Sequence, residues 1–143
     1  MTQIKFYHNA PDRLMAACSI TAKAVRQGHR VLVHAPNAAL AQRFDNLLWT
    51  AQPLSFVPHV AADSPLAART PVVIASQLDN PPHTDVLVNL SNDPVPAAFK
   101  RFDMLVEIVS TQDGDRQQAR QRWQAFKEQG HAIMAFDLAK KPD

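Results

Sequence analysis

Short apolar runs alternate with helical patterns along nearly the whole of this chain, and that alternation restricts the fold more than any other property of the sequence. Ile4 to Tyr7, Val31 to His34, Val72 to Ala75, Val86 to Leu90, Met104 to Val109 and Ala132 to Phe136 are each short and rich in Val, Ile, Leu or Phe. Continuous apolar runs of this length suit strands covered on both faces, as in a mainly parallel sheet. The first helical pattern starts near Asp12, sets Leu14, Ala17, Thr21, Ala24 and Val25 on one side, and stops at Gly28, a left-handed cap position. The second starts after Asn37 as N-cap and spaces Leu40, Phe44, Leu47 and Leu48 helically. The last runs from about Asp115 to Gln129 and stops at Gly130, and a shorter helix around Pro96 to Phe102 joins two strands. Two helices end in the same phrase, Gln27-Gly-His29 and Gln129-Gly-His131, which reflects common helix-to-strand turn chemistry rather than a repeat. Ser64 to Pro71 and Asp79 to His83 read as loops. The expected architecture is a three-layer α/β/α domain with a mainly parallel central sheet, and residues 1–143 form that single domain.

Size and charge narrow the functional classes. A chain of 143 residues with 46% hydrophobic and 20% charged content buries one core and leaves no room for a second domain. A formal net charge of +2 is too small to mark a dedicated nucleic-acid binder. Cys18 is the single cysteine, so no internal disulfide forms and a reducing cytoplasm is expected; its neighbours Ala16, Ala17 and Ile20 are packing residues, which predicts a buried, inert thiol. The start, Met-Thr-Gln-Ile-Lys, lacks the layout of a signal peptide, and no apolar run reaches transmembrane length, so a cytosolic protein without membrane contact is expected.

An α/β sheet raises the question of a phosphate site. The three glycines, Gly28, Gly114 and Gly130, cannot be assembled into G-x-G-x-x-G or G-x-x-x-x-G-K-[ST], and Pro11 removes an amide just after the first strand, where a phosphate cradle would need one. His8, His29, His34, His59, His83 and His131 stand singly, without zinc-ligand spacing, and read as caps or surface groups. Ser76, Ser91 and Ser110 lie near strand ends but lack a nucleophile elbow. Asp12, Asp85, Asp93 and Asp103 suit caps and turns better than a catalytic pair. The residues argue against an enzyme, and no cofactor or metal is expected.

Two features remain unexplained by a plain core. From Asp45 to His59 a helix end runs into a Pro-rich loop that still carries Trp49, Leu54, Phe56 and Val57; such side chains either fold back onto the core or form a docking surface. In the last helix, Arg116, Arg120, Trp123 and Lys127 fall at i, i+4, i+7 and i+11, while Ala119, Trp123 and Phe126 face inward. That stripe is either a solvated face at the edge of the core or a shallow pocket with a positive rim and an apolar floor. The pocket would suit a peptide ending in a hydrophobic residue and a free carboxylate.

Taken in order, Phe6-Tyr7, Gly28-His29-Arg30-Val31-Leu32, Leu47-Leu48-Trp49 followed by Ser55-Phe56-Val57-Pro58-His59, and Arg120-Gln121-Arg122-Trp123 with Phe126 make the whole chain resemble the chi subunit family of bacterial DNA polymerase III. The resemblance implies a Rossmann-like fold without nucleotide chemistry and a non-catalytic accessory role in the clamp-loader assembly. It implies two partners, the psi subunit and the C-terminal tail of the single-stranded DNA-binding protein, with a helicase-like repair protein replacing psi in some members. DNA would be met only indirectly, in the cytoplasm at the replication fork. Carried over by residue, the tail site falls on Arg120, with Arg116, Trp123, Val109 and Trp49 beside it, and the psi patch on Phe56, Val57 and Pro58. Gln124 stands where members of the family often carry a further basic residue, which leaves a thinner positive rim. The alternatives are a direct DNA-binding protein and a degenerate nucleotide-binding one.

Overall fold

In the computed structural model, residues 2–50, 58–79 and 81–139 are described. The elements in chain order are β1 (Gln3–Ala10), α1 (Arg13–Arg26), β2 (Val31–His34), α2 (Ala38–Thr50), β3 (His59–Ala61), β4 (Val72–Ala75), β5 (Val86–Asn89), β6 (Met104–Ser110), α3 (Asp113–Glu128) and β7 (Ile133–Asp137). The strands form one sheet in the order β3-β4-β2-β5-β6-β1-β7, and every neighbouring pair is parallel. The six apolar runs became β1, β2, β4, β5, β6 and β7. β3 went unseen because three residues, His-Val-Ala, carry too little pattern to register, and among the described residues it pairs with β4 alone. The short helix expected around Pro96 to Phe102 is a 3-10 turn, Ala97–Arg101, and a second turn, Ala67–Arg69, interrupts the expected loop before β4.

Helix ends follow the capping chemistry of their sequences. Asp12 is extended, and its Oδ1 accepts from the amides of Leu14 and Met15 at 3.1 Å each. Asn37 Oδ1 accepts from the Leu40 amide at 3.1 Å. Gly28 and Gly130 both have positive φ, 89° and 85°, and the amides of the following His29 and His131 donate back to Ala24 and Phe126. The recurring Gly-His phrase is thus one helix-closing device used twice. α3 begins two residues before the expected Asp115; Gly114 blurs the boundary in the sequence, while Asp113 and Asp115 suit the positive end of the helix.

Alternation along the strands sorts the core into two layers. Val31, Val33, Val88 and Ile108 point to the face covered by α1 and α2, where Leu14, Cys18, Phe44 and Leu48 pack. Leu32, Leu87 and Leu105, with Ile4 and Phe6, point to the other face and meet Phe99, Ala119 and Phe126. The domain is therefore three layers, α/β/α, as the sequence predicts.

Cys18 has no exposed surface, and burial first, with Asp12 second, pushes its thiol from 9.0 up to about 12. Unfolding frees this thiol to ionise near its ordinary value, so the Cys18 contribution to stability is lost as pH rises from 9.0 towards about 12. Ellman's reagent at pH 8 should label Cys18 only at the rate of global unfolding; rapid labelling of the native protein would contradict this packing.

Candidate functional site

Period-two alternation in β1 puts Ile4 and Phe6 on the α3 side and Lys5 and Tyr7 on the α1 side. Between Tyr7 and Ala10 the pairing with β6 slips: three steps along β1 match two along β6, from Ile108 to Ser110. This bulge reverses the alternation, so that Ala10 joins the α1-side core while His8 and Asn9 both border the α3 side. Asn9 absorbs the irregularity with φ 61°, a left-handed value that asparagine tolerates better than most residues.

Between the bulge, α3 and the edge strand β7 lies an open cleft of about 400 Å³. Its floor is Phe6, Val109 and Ala119, all buried, and Trp123 forms a half-buried wall. The Trp123 ring meets Phe6 edge-on with centroids 5.0 Å apart, and Lys127 Nζ lies 5.6 Å from the indole. Arg116, half-buried, and Arg120, exposed, stand on the rim, and among the described residues no carboxylate belongs to the lining. Arg116 Nη2 donates to Asn9 Oδ1 at 3.0 Å, and Asn9 Nδ2 donates to Asp137 Oδ1 at 3.0 Å. Cations above an apolar floor with an indole wall fit an anionic group attached to an apolar one.

Val109, Arg116, Arg120 and Trp123 are thus brought together. Trp49 is not among them. It lies 58% exposed at the end of α2, with its ring 5.4 Å from that of His59 in β3. β3 is five interstrand steps from β1, roughly 24 Å at ~4.8 Å per step. Pro58, exposed, precedes β3 on that same far edge, while Phe56 and Val57 lie outside the described residues. His59 itself is buried and its Nε2 sits 3.0 Å from Asp45 Oδ1, so it is not the surface or capping group the sequence suggested. His34 and His83 are buried as well.

Sequence reasoning missed a buried ionic network that joins α3 to the sheet. Glu107 in β6 has no exposed surface, and Arg122 of α3, 4% exposed, reaches it with Nε at 2.8 Å from Oε2. Asn89 Nδ2 donates to Glu107 Oε1 at 2.8 Å, Asn89 Oδ1 lies 3.2 Å from His34 Nδ1, and Arg122 Nη1 donates to the Asn92 carbonyl at 3.2 Å. Arg13 extends the network to Asn92 and the Ser91 carbonyl, and Asp115 joins Asn92 to Ser110. Burial pushes the Glu107 carboxyl upward while Arg122 pulls the other way. Burial lowers Arg13, with Arg122 adding to the effect and Glu107 opposing it. Arg122 therefore belongs to the interior, although in sequence it sits among the rim cations. The available signal was Glu107 itself, since a carboxylate inside Val-Glu-Ile-Val of a buried strand demands a partner. Among the described residues no three His, Cys, Asp or Glu side chains group to hold a metal, and no helix is long and apolar enough to cross a membrane.

Residues 1–134 match the family described as DNA polymerase III chi subunit, HolC. The chain belongs to the DNA polymerase III chi subunit family. A Pseudomonas aeruginosa protein named DNA polymerase III subunit chi is 32% identical over 146 residues, covering 98% of this chain and 99% of the relative. Proteins of the same name from Escherichia coli and Haemophilus influenzae are 33% and 30% identical, over 79% and 80% of this chain and 77% and 79% of their own lengths. As a member of the chi family the chain is a replication accessory subunit of DNA polymerase III.

In this chi-family chain the buried pair fixes how α3 sits on the sheet. Arg122→Met strands Glu107 and should cost about 3 kcal/mol or more in urea unfolding, whereas the double change Glu107→Leu with Arg122→Met should recover most of that loss. Equal stability of the single variant and the wild type would show that the pair carries no such constraint.

Proposed function

We propose that this chain is a non-catalytic bridge that binds the C-terminal tail of the single-stranded DNA-binding protein in the α3 cleft and the psi subunit at the opposite edge of the sheet, in the cytoplasm at the replication fork. The observation that carries this reading is the pairing of Arg116 and Arg120 with a floor of Phe6 and Val109 and a wall of Trp123. An acidic tail ending in phenylalanine offers the complementary parts: an aromatic side chain for the floor, and a terminal carboxylate with acidic neighbours for the two guanidinium groups. Gln124 is exposed, with its amide donating to Glu128 at 3.3 Å, so the tail would depend on the two arginines.

The psi patch is assigned to Phe56, Val57 and Pro58. Trp49, exposed at the end of the helix that leads into this segment, fits the psi side better than the tail cleft. Contacts with the clamp loader would then pass through psi, a helicase-like repair protein could occupy the same edge, and DNA would be reached through the coating protein. Short-peptide docking of this kind is on the order of micromolar, or ~8 kcal/mol, and several tails on one DNA-bound assembly raise the effective strength.

A labelled peptide of acidic residues followed by Pro-Phe, with and without a free terminal carboxylate, tests the cleft by fluorescence anisotropy. Arg120→Ala should cost about 2 kcal/mol of binding, and the amidated peptide should bind at least as poorly to wild type. Unchanged affinity in both comparisons would remove the tail assignment, and binding to bare single strands with steep salt dependence would favour a direct DNA-binding role instead. Phe56→Ala should reduce co-purification of psi without lowering the melting temperature; psi recovered at wild-type yield would remove the patch.

A further inference from the structure

Asn9 borders the cleft for a reason that neither the helix stripe nor the apolar floor supplies. Regular alternation would carry it to the α1 side with Lys5 and Tyr7, and only the extra residue in β1 turns it towards Arg116. Its backbone is held at φ 61°, the one positive φ outside glycine among the described residues. Asparagine accepts this backbone at lower cost than most residues, and non-glycine residues held in it often mark turns or binding sites.

The side chain uses both halves of its amide. Oδ1 accepts from Arg116 Nη2 at 3.0 Å, while Nδ2 donates to Asp137 Oδ1 at 3.0 Å. An aspartate could accept from the arginine but would repel Asp137, and an aliphatic side chain could do neither. The neutral amide therefore orients the guanidinium without cancelling its charge, and the remaining N–H donors of Arg116 stay available to a ligand. Asp137, on β7, anchors the arrangement through the strand that pairs with β1 at His8.

We propose that Asn9 is the positioning residue of the anion-binding cleft: it pre-orients the Arg116 guanidinium over the apolar floor, so that a tail carboxylate meets a cation already in place. The proposal rests on the tail-binding reading for its ligand and on the Asp137–Asn9–Arg116 geometry for its mechanism. Pre-orientation spares the ligand the cost of ordering a long side chain, and its loss is read as weaker binding.

Asn9→Gly is the informative variant, because glycine accepts the left-handed backbone and deletes only the side chain. Anisotropy with the acidic Pro-Phe peptide is measured for wild type, Asn9→Gly, Arg116→Ala and the double variant. Asn9→Gly should weaken binding about three- to tenfold at an unchanged melting temperature, yet change it less than about twofold once Arg116 is absent. Full affinity in Asn9→Gly, or the same loss with and without Arg116, overturns the proposal. NMR of the arginine side chains provides a readout that needs no peptide. Hindered rotation and distinct Nη–H signals of Arg116 in the wild type should collapse in Asn9→Gly, and signals indifferent to the substitution overturn the proposal. If wild type binds no peptide while Arg116 is restrained through Asn9, the tail reading fails and the positioning role stands.

Discussion

A carboxylate with no exposed surface must be met by donors from its own fold, and Glu107 is met by Arg122 reaching down from α3 and Asn89 reaching across from β5. One helix position is thereby tied to one strand position. Apolar packing of Ala119 and Phe126 against the sheet tolerates small slides, but a charge-assisted bond at 2.8 Å does not. Because Arg122 points inward, Arg116, Arg120 and Trp123 are turned towards the cleft by the period of the helix itself. Desolvation offsets much of the Coulombic gain of such a pair, so its main contribution here is to the placement of α3 rather than to overall stability.

The same ionic centre explains what the sequence concealed. Among the described residues, helix and strand periods made six of the seven strands legible, together with all three helices, and Asp12, Asn37, Gly28 and Gly130 marked their ends through cap chemistry. The stripe Arg116, Arg120, Trp123 was legible for the same reason, since a single helix carries it. Asn9 was not, because its orientation depends on a slip between two strands that are far apart in sequence, and no local pattern encodes that slip. The interior role of Arg122 was not legible either, because spacing within α3 says nothing about a carboxylate fifteen residues earlier on another element. Trp49 was grouped with the cleft through family resemblance, while the strand order puts it near the opposite edge.

The cleft joins parts of four elements. β1 contributes the bulge and Phe6, β6 contributes Val109, and α3 contributes the cations and the indole. Apart from the bulge, its walls are regular elements of a parallel sheet and a long helix. β7 closes the far side through Ala135, and Asp137 ties that strand to the bulge.

Strand order also governs how the domain bears mechanical load. A pull applied between the cleft edge and the β3 edge runs across the strands, along the hydrogen bonds that join them rather than parallel to the chain. The ladders then stand in series like the teeth of a zip, and the thinnest of them, the three-residue pairing of β3 with β4, yields first. α1 and α2, packed together across the middle strands, act as a brace over the centre of the sheet. Stretched between its two edges, the domain would peel at the β3 margin while the strands around the cleft kept their shape.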